Sequence, residues 1–162
     1  MWMNLVIIGV VALDQLAKYF IQSRMFLNES IQVLGDYFHI TYIRNKGAAF
    51  GMLSELPAGF RIPLFLAVGA GFIVFVFYYY KNILKEGFLV RLSFSLIVGG
   101  AIGNLIDRIF LSGEVRDFIE LGLSPSLKFA VFNIADSAIT VGVCLLLVYF
   151  LSIKGTGGKN AS

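Results

Sequence analysis

The apolar residues of the chain fall into four long stretches, separated by two long polar connectors and one short turn. Each stretch has about the 20 residues that a helix needs to cross the hydrocarbon core of a bilayer. The sequence therefore predicts four membrane-spanning helices, over residues 3–23, 60–80, 88–107 and 129–153.

The first connector, residues 24–59, is long enough to fold on its own. Within it, DYFHITYIRN (36–45) alternates polar and apolar residues and is rich in aromatics, which is typical of a strand, and SIQVLG (30–35) could pair with it. We predict a small sheet on the membrane surface between the first two helices, with the glycine-flanked stretch 45–53 as a cap. His39 lies in this sheet, and a solitary histidine is interpreted as structural.

Composition supports a membrane protein. The chain has 162 residues, of which 58% are hydrophobic and 14% charged; a soluble fold of this size could not bury so much apolar surface. We predict a mostly α integral membrane protein with one domain, residues 1–153, and a flexible cytoplasmic tail, 154–162. The net charge of +3 without a basic run excludes a nucleic-acid partner. The lone Cys144, in an apolar run, predicts neither a disulfide nor a thiol metal site.

The topology follows from the number of helices. Four spans place both termini and the turn 81–87 on one side of the membrane, and the connectors 24–59 and 108–128 on the other. Basic residues near the turn favour a cytoplasmic location for that side, although a count over the whole chain does not. The first span is not predicted to be a cleaved signal, because it lacks a positive leading segment and Asp14 interrupts it.

Polar residues within the predicted helices recur at helical spacing. A charge at the bilayer centre costs about 2.5–3.5 kcal/mol on insertion scales, so such groups usually face the bundle interior. Because span 3 ends and span 4 begins on the same side, we expect the polar sets to converge there, joined by Asp117 and Asn45 from the connectors. The residues at these spacings are Asp14 with Lys18, Asn104 with Asp107 and Arg108, and Asn133 with Asp136.

Asp136 is the least easily explained of these residues. It has no cation one helical turn away, and we expect it about seven residues inside span 4, roughly 10 Å from its end. A buried, unpaired carboxyl takes up a proton, and a second carboxyl nearby lets the pair share one. That arrangement suits water activation by an aspartic pair. Asp117 is the favoured partner and Asp107 the second choice.

The other polar residues also have structural interpretations. Asp14 and Lys18 would form a neutralised bridge, and Asp107 with Arg108 would be an interface anchor. Asn104 and Asn133 could be interhelical hydrogen-bonding groups. One histidine and no HExxH motif exclude a zinc peptidase, and no metal or cofactor is predicted. Two alternatives stay open: a small proton- or ion-coupled transporter, and a noncatalytic membrane chaperone for lipidated chains.

Five blocks of sequence carry a resemblance to a known family. They are DQLAK (14–18), RNKGAAFG (44–51), GGAIGNLIDR (99–108), VRDFI (115–119) and FNIADS (132–137). In this order they resemble the lipoprotein signal peptidase (signal peptidase II) family. The resemblance implies a bacterial aspartic endopeptidase of the cytoplasmic membrane. It would cleave diacylglyceryl-modified prolipoproteins before the lipidated cysteine, toward the outer leaflet.

The resemblance also assigns residues. The catalytic aspartates of the family fall on Asp117 and Asp136. We further expect a monomer whose partners are prolipoprotein signal peptides and membrane lipids. The glycines of 99–104 would let another helix or the extended peptide approach closely. The substrate-binding and support positions fall on Asp14, Lys18, Asn45, Gly47, Asn104, Asp107, Arg108 and Asn133.

Overall fold

The computed structural model describes residues 2–48, 52–124 and 127–157. Four of its helices are long and apolar enough to cross a membrane, and four short strands accompany them. The prediction of a four-helix membrane protein with a small sheet is therefore confirmed. In chain order the elements are α1 (Trp2–Arg24), β1 (Ser30–Leu34), β2 (Phe38–Asn45), α2 (Ala58–Ile83), α3 (Phe88–Phe110), β3 (Val115–Ser124), β4 (Leu127–Lys128) and α4 (Ile134–Gly157).

Helix α3 is the centre of the bundle. In the most apolar segment of α3, 44% of the residues are buried, against 11–17% in the corresponding segments of the other three helices. It packs against α1, α2 and α4. Its glycines make this possible: a Cβ on Gly99 would lie 2.8 Å from Val10 of α1, and a Cβ on Gly100 would clash with the Ala135 carbonyl of α4. These glycines therefore admit neighbouring helices, as small residues do in membrane bundles, which is one of the two roles that the sequence suggested for them.

The sheet draws strands from both long connectors. Its order is β1-β2-β3-β4, and each neighbouring pair is antiparallel. The predicted pairing of segments 30–35 and 36–45 is seen as β1 with β2, and His39 lies in β2. Strand β3 was not predicted as a strand. It pairs with β2 so that Ile43 lies opposite Asp117 and Arg44 opposite Arg116.

Helix α4 begins five residues later than expected. Residues 129–133 run beside β3, with the Phe132 carbonyl accepting hydrogen bonds from the backbone N–H groups of Phe118 and Ile119. The helix begins at Ile134, so Asp136 lies in its first turn and not seven residues inside it. The physical reason is the capping preference of asparagine, because Asn133 stops the apolar run from continuing as helix toward residue 129.

Two other predicted segments lie partly outside the described residues. The tail predicted at 154–162 starts inside α4, which runs to Gly157, and residues 158–162 lie outside the described residues. The cap predicted at 45–53 includes residues 49–51, which also lie outside them. Cys144 is a free cysteine exposed on α4.

Candidate active site

The start of α4 holds Asp136 in a reciprocal cap. The Asn133 Oδ1 accepts a hydrogen bond from the Asp136 backbone N–H at 2.9 Å, and Asp136 Oδ2 accepts one from the Asn133 N–H at 3.2 Å. This is the geometry of a capping box, in which two orphan donors of a helix terminus are satisfied together. The i, i+3 spacing of the two residues thus fixes the Asp136 carboxyl against the positive end of the helix dipole.

Asp117 approaches from the sheet. It lies in β3 and is 1% exposed. Its Oδ1 accepts a hydrogen bond from Asn133 Nδ2 at 2.7 Å, and its Oδ2 accepts one from Asn45 Nδ2 at 2.9 Å. Asn133 therefore donates hydrogen bonds to both candidate carboxyls, one through its side chain and one through its backbone, and brings Asp117 and Asp136 into one cluster.

The environment of Asp117 favours its protonated form. Burial, and then the nearby charge of Asp136, raise the pKa of Asp117 to about 7, against the lowering effect of hydrogen bonds from Asn45 and Asn133. A carboxyl with this pKa is partly protonated at neutral pH and can either donate or accept a proton. Its hydrogen-bond partners are amides, which supply no full positive charge.

Asn104 joins α3 to this cluster. Its Nδ2 donates to Asp136 Oδ1 at 2.7 Å, and its Oδ1 accepts from Asn133 Nδ2 at 3.1 Å. Its Oδ1 also accepts from Lys18 Nζ at 3.0 Å. The predicted role of Asn104 and Asn133 as interhelical hydrogen-bonding groups is therefore observed, and both amides act directly on the two candidate carboxyls.

A cavity of about 860 Å³ lies beside the two aspartates. One side is apolar and comes mainly from α2 and α3; the polar groups come from α3, the end of β2, β3 and the start of α4. Asp117, Asp136, Asn45, Asn104 and Arg108 all line it. The apolar wall includes Phe65, Val68 and Phe72 of α2, with Ile97 and Ala101 of α3. Such a cavity suits an extended, largely apolar ligand with a few polar groups at one end.

Behind the aspartate pair lies a second buried cluster of charge. Lys18 and Asp14 are both fully buried and pair at 2.8 Å, which confirms the predicted bridge. Lys18 also lies 3.5 Å from Asp107 Oδ2. Asp14 also contacts α4: its Oδ1 accepts a hydrogen bond from the Ala135 N–H at 2.9 Å. The bridge therefore helps to cap α4 and to hold Asp136 in place.

Asp107 pairs with Arg116, and over the described residues no ion pair joins it to Arg108. The expected anchor of Asp107 with Arg108 was wrong, because adjacent residues of a helix point in directions about 100° apart. Arg116 Nη2 lies 2.6 Å from Asp107 Oδ1, and Arg116 Nε donates to Oδ2 at 3.1 Å. Asp107 is therefore neutralised and is a poor dyad partner for Asp136, which leaves Asp117 as the partner.

Arg108 faces the cavity instead. Its Nη2 donates to the Gly47 carbonyl at 3.1 Å, and its guanidinium lies 4.7 Å from the centre of the Phe65 ring. Gly47 in turn donates its N–H to Asn45 Oδ1 at 2.8 Å. These contacts tie the end of β2 to α3 beside Asp117. Of these two predicted support residues, Asn45 lines the cavity, and Gly47 contacts the lining residues Asn45 and Arg108.

Two residues of the site were missed from the sequence, Arg116 and Gln15. Gln15 Nε2 donates to Asp14, to Asp107 and to the Gly103 carbonyl, at 3.0–3.1 Å. It is a polar residue within a predicted span, which was a usable signal. The signal for Arg116 was strand alternation, which places adjacent side chains on opposite faces. Arg116 points to the charged cluster and Asp117 to the cavity.

No group of three or more histidine, cysteine, aspartate or glutamate side chains in the described part of the chain has the arrangement of a metal site.

Comparison with known proteins places these features in a family. The family model described as signal peptidase (SPase) II matches residues 6–152. The chain belongs to the signal peptidase II family. It is 41% identical to a lipoprotein signal peptidase of Halothermothrix orenii over 153 residues, 94% of this chain and 97% of the relative. It is 40% identical to one of Brevibacillus brevis over 160 residues, 99% of both chains.

Solved structures agree with this assignment. One described as a bacterial membrane enzyme, determined by the in meso method at 2.3 Å, has a TM-score of 0.81 and 34% sequence identity over 99% of this chain and 92% of its own. Membership in the signal peptidase II family confirms the resemblance drawn from the five sequence blocks. It also makes the chain a multi-pass membrane protein of a bacterial protease family.

Proposed function

We propose that the chain is an aspartic endopeptidase that removes signal peptides from diacylglyceryl-modified prolipoproteins, cutting just before the lipidated cysteine. One observation carries the proposal: Asn133 donates hydrogen bonds to both Asp117 and Asp136, beside a cavity that both line. Family membership supports the substrate class, because the similar relatives are named lipoprotein signal peptidases.

In the proposed reaction the two carboxyls share one proton. Asp136 carries the negative charge, which the α4 N-terminus favours, and takes a proton from the attacking water. Asp117, with its raised pKa of about 7, donates its proton to the scissile carbonyl oxygen. The tetrahedral intermediate then collapses: the C–N bond breaks, the proton on Asp136 passes to the leaving amine, and Asp117 recovers the hydroxyl proton. The pair returns to its singly protonated state.

The amides hold the pair in this geometry without neutralising it. Asn45, Asn104 and Asn133 each donate a hydrogen bond to one carboxyl or both. A lysine or arginine in the same place would favour ionisation of both carboxyls and remove the acid of the pair. Asn45, Gly47, Asn104, Arg108 and Asn133 are therefore proposed as support residues that shape the site and bind the peptide backbone.

Substrate would enter from the lipid. The apolar wall given by α2 matches a hydrophobic signal peptide, while the acyl chains of the modified cysteine stay in the bilayer. All groups of the site come from one chain, so we propose a monomer. We also propose cytoplasmic termini and a site toward the outer leaflet, because Lys81, Lys85 and Arg91 flank the α2–α3 turn at the opposite end of the bundle.

A transporter is the weaker candidate. An ion relay needs polar groups along a path across the membrane. Among the described residues the buried aspartates gather at one end of the bundle, where α1 and α3 end and α4 begins.

The test uses the purified full chain and a purified diacylglyceryl-modified precursor, with mass spectrometry of the products. We expect a single cut immediately before the modified cysteine. An otherwise identical precursor with that cysteine replaced by serine carries no lipid and should not be cut. Cleavage at another position, or equal cleavage of the unlipidated control, would contradict the proposed specificity.

A further inference from the structure

We propose that Arg116 is a positioning residue for this reaction: by clamping Asp107 it fixes the strand that carries Asp117 and neutralises the charge behind the catalytic pair. The inference rests on the function proposed above. Arg116 itself faces away from the cavity and touches no reacting group, so it would act through its neighbours.

The clamp has three contacts on one carboxylate. The side chain of Arg116 holds Asp107 through Nη2 and Nε, at 2.6 and 3.1 Å, and the Arg116 backbone N–H donates to Asp107 Oδ2 at 2.9 Å. A forked arginine–carboxylate pair of this kind adds direction as well as energy. The Asp107 side chain is fully buried and that of Arg116 is 12% exposed, so water screens the pair weakly.

The same side chain also holds α1. Nη2 of Arg116 donates to Gln15 Oε1 and Nη1 donates to Gln22 Oε1, both at 3.0 Å. Arg116 thus joins β3 to α1 and α3 at the residue directly before Asp117. Burial acts to lower its pKa, but the hydrogen bonds and the charge of Asp107 outweigh this and raise the pKa of Arg116 above its usual value. The guanidinium is therefore a permanent charge here.

The link to the catalytic pair runs through the backbone. The Arg116 carbonyl accepts a hydrogen bond from Asn133 Nδ2 at 3.3 Å, and this Nδ2 also donates to Asp117 Oδ1 at 2.7 Å. A shift of Arg116 would therefore move Asp117 and disturb Asn133, which donates to Asp117 through its side chain and to Asp136 through its backbone N–H. Misplacement of about 1 Å is enough to cost an enzyme roughly 100-fold in rate.

Arg116 also balances the charge behind the catalytic pair. The rear cluster contains Asp14 and Asp107 against Lys18 and Arg116, so it is neutral. Loss of the Arg116 charge would leave one uncompensated negative charge behind Asp117 and oppose ionisation of the pair. The charged groups around Asp117 are Asp136 from α4, Arg108 and Asp107 from α3, Lys18 and Asp14 from α1, Arg116 beside it on β3, and Arg44 across from Arg116 on β2.

The test compares three variants. Arg116→Met removes both the positive charge and the forked contact with Asp107 but keeps a long side chain. Arg116→Lys keeps the positive charge but cannot make the forked contact. Arg44→Met is the matched control, because Arg44 lies directly opposite Arg116 on β2 and bonds Tyr42 instead of the rear cluster. Each is assayed for kcat, KM and the pH profile of cleavage of a lipidated precursor, with thermal unfolding measured alongside.

For Arg116→Met we expect kcat to fall about 10- to 100-fold with KM within about twofold, and the whole pH profile to move upward by about half a unit or more. For Arg116→Lys we expect a smaller fall in kcat and an unshifted profile. Arg44→Met leaves the fork on Asp107 intact, so it should keep the parental kcat and move the pH profile less than Arg116→Met does. If Arg116→Met does not fold, the double variant Arg116→Met/Asp107→Asn, which restores neutrality, should return the profile to the parental pH while kcat stays low.

Two results would overturn the inference. One is parental kcat and pH profile in Arg116→Met. The other is a loss of kcat that follows thermal stability while the pH profile stays in place in every Arg116 variant, which indicates structure alone. Failure of the proposed function would look different: the parent chain would not cleave the precursor, or Asp117→Asn and Asp136→Asn would cleave it as well as the parent does.

Discussion

Two clusters of carboxyls lie side by side in this bundle, and they differ in their partners. All four carboxyls are buried except that of Asp136, which is half-buried. Asp14 and Asp107 contact Lys18 and Arg116, so each negative charge has a positive neighbour within 2.8 Å. Asp117 and Asp136 have amide donors instead, with Arg108 acting on them only through its longer-range charge. Paired carboxylates stay ionised and hold structure together, whereas carboxyls held by amides keep a proton available for chemistry.

The largest expected effect is a loss of cleavage activity when either carboxyl of the amide-held cluster, Asp117 or Asp136, is removed. Asp117→Asn and Asp136→Asn should each lower the rate of precursor cleavage by about 10⁴-fold, equivalent to about 5.5 kcal/mol of barrier, because one acid–base group is lost. Both variants should fold, since asparagine fills the same volume. The measurement is single-turnover cleavage of the lipidated precursor. More than a tenth of the parental rate in either variant would show that its carboxyl is not catalytic.

The next largest effect is a loss of stability when the charge-paired cluster around Asp14 and Asp107 is disrupted. Lys18→Met should lower the free energy of unfolding by about 3–5 kcal/mol, because it leaves buried carboxylates short of a partner. Reversible denaturation in detergent micelles measures this loss. Lys85→Met, in the exposed α2–α3 turn, removes a similar charge and should change stability little. Equal stability of the two variants would mean that the rear cluster does not hold the bundle together.

A steric change should have a smaller effect. A Cβ on Gly103 would lie 2.7 Å from Asp14 Oδ2, so Gly103→Ala should push Asp14 from Lys18 and cost about 1–3 kcal/mol. Gly9 of α1 has no atom within 4 Å of an added Cβ, and Gly9→Ala is the control expected to be neutral or slightly stabilising. Thermal unfolding of the two variants tests this, and a Gly103→Ala protein as stable as the control would contradict it.

The smallest effect is the pH dependence of stability. The pKa of Asp117 is about 7 in the folded chain and about 3.9 when unfolded. Its stabilising contribution is therefore complete below about pH 4 and is lost as pH rises through about 7. Relative to Asp117→Asn, the parent should lose about 1.4 kcal/mol of stability between about pH 6 and pH 8. A constant difference between the two proteins across this range would contradict the raised pKa.

Sequence predicted the parts of this site that depend on periodicity along one helix. Asp14 with Lys18, and Asn133 with Asp136, were found because residues three or four apart share a helical face. The same argument failed at Asp107, whose partner comes from a strand and not from the adjacent Arg108. It also failed at the start of α4. Residues 129–133 are as apolar as the helix that follows them, yet they run alongside β3 and are not helical. Strand alternation could have placed Arg116 on the face opposite Asp117, but the approach of β3 to α3 leaves no short-range signal that names Asp107 as its partner.

The central claim is that Asp117 is a buried carboxyl that exchanges its proton near neutral pH. Infrared difference spectroscopy of the purified parent and of Asp117→Asn, titrated from about pH 5 to about pH 9, measures this directly. We predict a protonated-carboxyl band that Asp117→Asn lacks and that disappears with a midpoint near the pKa of about 7. Identical spectra of parent and variant at about pH 5 would mean that Asp117 is already ionised, and would contradict its role as the acid of the pair.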